Sequence, residues 1–163
     1  MTLSCNLEPI SEAAFAPFGQ LLLSPPRGGS RRDLIEELQN LRPSGRPRLS
    51  LATVAPKPLP LLATEMERHV HSSQAFVPID CASYLVLVAR HGADDLPDLA
   101  TLRAFRVPGD IGINYSADTW HHPLSALERE AQFVVLTFVD GTETDEQFVP
   151  LPEPVVIGTP QPG

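Results

Sequence analysis

Eighteen prolines and ten glycines are scattered through 163 residues, and this punctuation limits what the chain can build. A proline inside a helix removes a backbone donor and clashes with the preceding turn, so the long uninterrupted periods of a helical bundle are excluded over most of the sequence. The apolar runs left between the breakers are short, and several alternate with period two. Strands are expected at residues 20–24, 49–55, 61–69, 74–79, 83–90, 102–107, 111–115, 119–124 and 131–139. The run at 83–90 is apolar throughout and reads as buried on both faces. Pro108-Gly109-Asp110 and Ser72-Ser73 supply turns. Many short strands at regular spacing predict a mainly β domain, a sandwich or a barrel.

Two short helices are expected before the strands begin in earnest. Residues 9–19 start at Ser11, a natural N-cap, and end at Pro17 and Gly19. Residues 33–41 carry Leu34, Ile35, Leu38 and Leu41 at helical spacing. The basic, breaker-rich connector 42–48 reads as a solvated loop. The proline-rich tail at 150–163 is expected to be extended or frayed. No internal repeat or second domain is apparent, and residues 1–163 read as one domain, a length that can bury a core of its own.

Charge and cysteine usage exclude several classes. The formal net charge is −8, so the basic footprint of a nucleic-acid binder is missing. Cys5 and Cys81 are the two cysteines, which is no disulfide framework, and reduced thiols in the cytoplasm are expected. The sequence shows neither the pattern of a signal peptide nor an apolar run long enough for a membrane span. A surface this acidic repels small anions at long range, so an anionic substrate would need local arginines.

The stretch with the most chemistry is residues 67–78, where Glu67, His69 and His71 fall on one face of a strand by two-residue alternation. Gln74 returns on the next strand, where it can meet His69. A second polar cluster, Trp120-His121-His122-Pro123, follows about fifty residues on, and alternation lets one histidine of the pair face inward. Imidazole nitrogens with side-chain oxygens suit a divalent ion such as Zn, Ni, Mn or Fe, though the same groups would also serve as a hydrogen-bonded structural network. Arg68, Arg103 and Arg106 are candidate carboxylate grips, since guanidinium matches a carboxylate in bidentate fashion. Asn114 and Tyr115 offer neutral hydrogen bonds. His91, in an acidic loop, reads as surface, and Cys81 as a small apolar filler.

Three motifs in this chain resemble the ureidoglycolate lyase (ureidoglycolate hydrolase) family of allantoin degradation. They are Glu67-Arg68-His69 with Gln74-Ala75-Phe76-Val77-Pro78, then Pro97-Asp98-Leu99-Ala100-Thr101-Leu102-Arg103-Ala104-Phe105, then Gly112-Ile113-Asn114-Tyr115 with Trp120-His121-His122-Pro123-Leu124. The likeness runs from about residue 49 to 139, and the segment 24–48 departs from it. The resemblance implies a cupin-like double-stranded β-barrel, a homodimer, and a divalent metal, nickel in some members. It implies cleavage of ureidoglycolate into glyoxylate and urea. On this reading Glu67, His69, Gln74 and His121 take the metal-ligand slots, while His71 does not carry over. Arg103 or Arg68 would hold the substrate carboxylate, Glu67 or His122 would move protons, and Asn114, Tyr115 and Trp120 would complete the substrate site. Two other readings of the same barrel are a non-enzymatic module that binds small carboxylates and another metal-dependent cupin enzyme. A three-His or two-His-one-carboxylate iron set would favour the latter, and Gln74 argues against it.

Overall fold

In the computed structural model, which describes residues 2–158, thirteen strands dominate. They are β1 (Leu3–Cys5), β2 (Leu7–Pro9), β3 (Gly19–Leu22), β4 (Arg46–Val54), β5 (Leu61–Arg68), β6 (Gln74–Asp80) and β7 (Ser83–His91), followed by β8 (Pro97–Pro108), β9 (Gly112–Tyr115), β10 (Trp120–His121), β11 (Ser125–Leu127), β12 (Ala131–Val139) and β13 (Gln147–Ile157). The larger sheet runs β1-β13-β5-β10-β7-β8-β2, with β11 also on β7, and the smaller runs β3-β9-β6-β12-β4. Together they form the expected mainly β, cupin-like double-stranded barrel. Among the described residues no helix is long and apolar enough to cross a membrane.

The central strand of the larger sheet is β7, and its sequence explains why. Every residue from Ser83 to Ala89 is buried, and alternation sends the side chains into two separate cores. Tyr84, Val86 and Val88 face the smaller sheet with Phe105, Phe133 and Tyr115. Leu85, Leu87 and Ala89 pack on the other side with Met66, Trp120 and Val155. A strand apolar on both faces is stable only where both are covered. The first core is aromatic: Tyr84 meets Phe133 edge-on at 5.0 Å, and Phe133 meets Phe76 at 6.0 Å. Such pairs add about 0.5–1.5 kcal/mol each beyond area burial. The predicted turn at 108–110 forms with Ile111 N–H donating to the Pro108 carbonyl at 3.1 Å. A Cβ at Gly109 would stand 1.8 Å from the Cys81 carbonyl oxygen, so only glycine allows this approach.

The first predicted helix is present but short, α1 (Glu12–Phe15), with the Ser11 hydroxyl accepting from Ala14 N–H at 3.1 Å. The second, at 33–41, is not. Only a 3-10 turn, Ile35–Glu37, forms there, because the backbone beyond it pairs elsewhere. Gln39 N–H donates to the Ser73 hydroxyl at 2.8 Å, Ser73 N–H to the Gln39 carbonyl at 3.0 Å, and Leu41 N–H to the His71 carbonyl at 2.9 Å. Those bonds replace the i→i−4 ladder a helix would need.

The tail is extended, as one of the two expected outcomes had it, and as far as residue 157 it is strand β13 beside β5, with Leu151, Val155 and Ile157 buried. Its prolines are tolerated at a register shift between Pro150 and Val155. Residues 159–163 lie outside the described residues.

Candidate active site

Cross-strand register brings the two polar clusters together. In the larger sheet His121 on β10 sits directly opposite Glu67 on β5. In the smaller sheet Gln74 on β6 sits directly opposite Tyr115 on β9. The two pairs face each other across the barrel interior, and the Tyr115 ring stacks on His121 with centroids 4.1 Å apart and planes 16° from parallel. His69, just past the end of β5, completes the group, its ring 5.4 Å from that of His121. One ligand-type atom each from Glu67, His69 and His121 lies within 4.8 Å of the others.

The state of the two imidazoles follows from their hydrogen bonds. His121 Nδ1 lies 2.9 Å from the Thr119 carbonyl, and His69 Nδ1 lies 3.1 Å from the Asp145 carbonyl. A carbonyl oxygen can only accept, so in each ring Nδ1 carries a proton and Nε2 is the nitrogen left to face a cation. Among the described residues both Nε2 atoms are buried and have no hydrogen-bond partner, and the same is true of Gln74 Oε1 and the Tyr115 hydroxyl. His121 Nε2 stands 3.3 Å from Glu67 Oε1. A lone pair and a carboxylate at that distance repel unless a cation, a proton or a metal, lies between them.

The charge states agree with this picture. Burial, with the neighbouring His121, holds His69 below the ordinary histidine value of 6.5, which favours the neutral ring. Burial works against ionisation of Glu67, but His121 and the other nearby histidines outweigh it, and its carboxyl sits below the usual 4.5. Burial pushes the Tyr115 hydroxyl well above 10, so it stays a proton donor.

Glu67, His69 and Gln74 open into a cavity of about 570 Å3, while His121 and Tyr115 are buried beside them. One wall is a row across the smaller sheet in which Arg48, Thr137 and Gln74 are successive cross-strand partners, the same row continuing to the buried Tyr115. Another wall is the acidic loop at 141–146, which contributes Glu143, Asp145 and Glu146. Arg48 was not singled out by the sequence reading, which assigned it to a solvated loop. It is the first cavity-facing residue of β4, and no hydrogen bond or ion pair engages it among the described residues. The register of β4 on β12 is the signal that finds it, and that register is not visible in the sequence.

Several expected site residues are placed elsewhere. Arg103 pairs with Glu8 and donates to the Ala14 carbonyl at 3.3 Å. Arg68 alternates away from Glu67 and bonds Asp95 at 2.9 Å and Asp118 at 3.0 Å, its guanidinium 4.5 Å over the Trp120 ring. Trp120 is therefore buried in the second core, its Nε1 donating to the Asp95 carbonyl at 3.2 Å. Asn114 points to the outer side of the smaller sheet, donating to Gln20 Oε1 and the Glu37 carbonyl at 2.8 Å each. His122 lies on the opposite strand face from His121, its Nδ1 on the Pro123 carbonyl at 2.8 Å. His71 does not line the cavity. The structure thus assembles Glu67, His69, Gln74, Tyr115 and His121, and leaves Arg68, Arg103, Asn114, Trp120 and His122 outside.

The donor set fits a divalent cation. Two imidazoles turned with Nε2 inward, a carboxylate and an amide oxygen are suitable ligands, and three of their four ligand atoms are buried without partners among the described residues. Carbonyl acceptors on the far ring nitrogens are the usual support for metal-binding histidines.

Comparison with known proteins agrees with the geometry. The chain is 35% identical over 95% of its length to a ureidoglycolate lyase of Azotobacter vinelandii, covering 98% of that protein. It is 38% identical to one of Burkholderia mallei, with 89% of each chain covered, and 34% identical to one of Escherichia coli over 87% of this chain and 92% of the other. A dTDP sugar isomerase from Desulfovibrio desulfuricans shares the fold, with a TM-score of 0.50 at 15% identity over 82% of each chain. The family pattern described as ureidoglycolate lyase matches residues 2–158, and the chain belongs to that family.

Proposed function

We propose that this protein is a ureidoglycolate lyase that splits ureidoglycolate into glyoxylate and urea, a step of purine breakdown through allantoin. Family membership across residues 2–158 supports the substrate. The observation that carries the site is the set of buried, unpartnered atoms on His69, Gln74, Tyr115 and His121 around the Glu67 carboxylate.

In this reaction the substrate hydroxyl loses its proton, its oxygen becomes the aldehyde carbonyl, and the carbon–nitrogen bond breaks. The urea nitrogen takes that electron pair and a proton, so no net proton is consumed. Glu67, ionised at neutral pH, accepts the hydroxyl proton and can return it to the departing nitrogen. Tyr115 keeps its proton and offers a hydrogen bond to the ureido group. Gln74 Oε1 accepts from the ureido N–H. Arg48, unpaired in the cavity wall, binds the substrate carboxylate in place of the expected Arg103 or Arg68. A divalent ion, nickel in some members, would be held by Glu67, His69, His121 and Gln74, and would supply Lewis acidity toward the substrate hydroxyl.

Glyoxylate formation from ureidoglycolate by purified protein, before and after chelation, tests the proposal. No glyoxylate under either condition would remove the substrate assignment. A second reading has one observation behind it: Glu67, His69 and His121 form a two-His-one-carboxylate set, which iron oxygenases also use. Oxygen consumption by iron-loaded protein separates the two.

A homodimer also belongs to this reading. The outer face of the smaller sheet exposes Leu49, Leu51, Val77 and Ile79, with Leu51 78% exposed, which is a sheet face suited to a second copy. Sedimentation as a monomer at micromolar concentration would contradict it. The cysteines Cys5 and Cys81 are both free, in keeping with a cytoplasmic enzyme.

A further inference from the structure

Behind His69 lies a set of contacts that the reaction does not use. Arg42 leaves only 11% of its side chain exposed, although it sits in the basic connector that sequence alone reads as solvated. Its guanidinium pairs with the Asp145 carboxylate, approaches Asp140 at 3.1 Å and donates to the Thr144 hydroxyl at 3.0 Å. The Asp145 carboxylate also accepts from the backbone N–H of Asp140 at 3.0 Å and of Gly141 at 2.8 Å. The loop is therefore wound around this one carboxylate. The carbonyl of the same residue, Asp145, accepts from His69 Nδ1 at 3.1 Å.

We propose that Arg42 is a positioning residue: by holding Asp145 it fixes the orientation and tautomer of the His69 ring, so that Nε2 keeps its lone pair toward the cavity. The chain of contacts is direct, and among the described residues Arg42 is the donor to the Asp145 carboxylate from outside the loop, the other two being the loop's own Asp140 and Gly141 N–H groups. The backbone beside His69 depends on the same segment, because Leu41 N–H donates to the His71 carbonyl at 2.9 Å and Ser73 N–H to the Gln39 carbonyl at 3.0 Å. Residues 39–45 thus hold both the turn that follows His69 and the loop that orients its ring. An Arg at position 42 suits the task better than Lys, because two guanidinium nitrogens reach Asp140, Thr144 and Asp145 at once.

The proposal rests on His69 being a metal ligand, and its test separates the two ideas. Long-range 1H–15N spectra of metal-free protein report ring tautomers directly. Wild type is expected to show His69 protonated at Nδ1, and Arg42→Gln to show a mixture of tautomers, with His121 unchanged as an internal control. Titration with Co2+ is expected to give an affinity lower by about 10- to 100-fold in Arg42→Gln, the usual size for loss of support behind a ligand, with partial recovery in Arg42→Lys. Should Arg42→Gln prove unstable, Asp145→Asn, which keeps the carbonyl and weakens the grip of Arg42, is read the same way. A wild-type His69 tautomer in the Arg42 and Asp145 variants overturns the proposal. Absence of Co2+ binding by wild type overturns the ligand role of His69, and the tautomer spectra still decide the role of Arg42.

Discussion

Two clusters in this protein have nearly the same composition and opposite character. One joins Glu67, His69 and His121; the other joins His91, Asp95 and Asp118, and both bring their ligand-type atoms within 4.8 Å of one another. In the second cluster every ring nitrogen is engaged. His91 Nδ1 meets Asp95 at 2.7 Å, His91 Nε2 meets the Asp118 carbonyl at 2.6 Å, and Arg68 neutralises both carboxylates. Asp95 and Asp118 even adopt left-handed backbone, φ 60° and 66°, to make these contacts. The first cluster is more deeply buried, yet its Nε2 atoms are left open. A buried polar atom without a partner costs about 1–3 kcal/mol, so a site that keeps several of them has a use for them. Satisfaction, not residue type, distinguishes the cluster proposed to carry the chemistry from the one that holds the loops together.

The comparison can be broken by substitution in each cluster. The largest effect is expected for Glu67→Gln and His121→Ala, which should lower kcat for glyoxylate release by about 100-fold or more; Glu67→Gln, close in shape, should leave the thermal midpoint near wild type, while His121→Ala also loses its stack on Tyr115 and lowers it. Arg68→Ala should do the reverse. It removes charge-assisted hydrogen bonds and the stack on Trp120, at a cost of about 2–3 kcal/mol in stability, measured by urea unfolding, with kcat of the folded protein within a few-fold of wild type. Arg48→Gln sharpens the role of the cavity wall: KM should rise by about 10-fold or more, the size of a charged hydrogen bond, with a smaller change in kcat. His91→Ala, at a half-exposed site, should cost about 1 kcal/mol or less and leave activity intact.

Stability should also respond to pH in a definite direction. His69 and His122 both lie below 6.5 in the folded state, chiefly through burial. The unfolded chain therefore takes up protons first as pH falls, and stability should decline from about pH 6.5 downward. Asp140, held at about 2 first by the hydroxyl and backbone N–H of Thr142, acts later. Its contribution is full above the ordinary carboxylate value and is lost as pH falls through about 2. Urea midpoints that stay flat between pH 7 and pH 5 would contradict the histidine assignments.

Much of this is legible in the amino-acid sequence, for identifiable physical reasons. Ala131–Val139 and the doubly buried β7 could be read because their apolar patterns are long and unbroken. Strand β13 was harder to read because its prolines mark it as tail, and its place in the sheet depends on pairing with β5 far away in sequence. The helix expected at 33–41 failed because tertiary hydrogen bonds to residues 71–73 overrode a correct amphipathic pattern. Within the candidate site, Glu67, His69 and Gln74 were readable from two-residue alternation, whereas His121 rather than His122 came from likeness to the family. Arg48 and Arg42 were not, since only strand register and loop closure reveal which arginine faces the cavity and which one is locked behind it. The same limit explains Arg68 and Arg103, whose type suggests a carboxylate grip and whose partners turn out to be the protein's own acids.

On the proposed reading the open atoms around Glu67 and His121 carry the chemistry. Its most direct test is the rate of glyoxylate release from ureidoglycolate by Glu67→Gln and His121→Ala, each checked for native folding by circular dichroism. Folded proteins with activity reduced by about 100-fold or more are expected. Wild-type rates in both variants would contradict that reading.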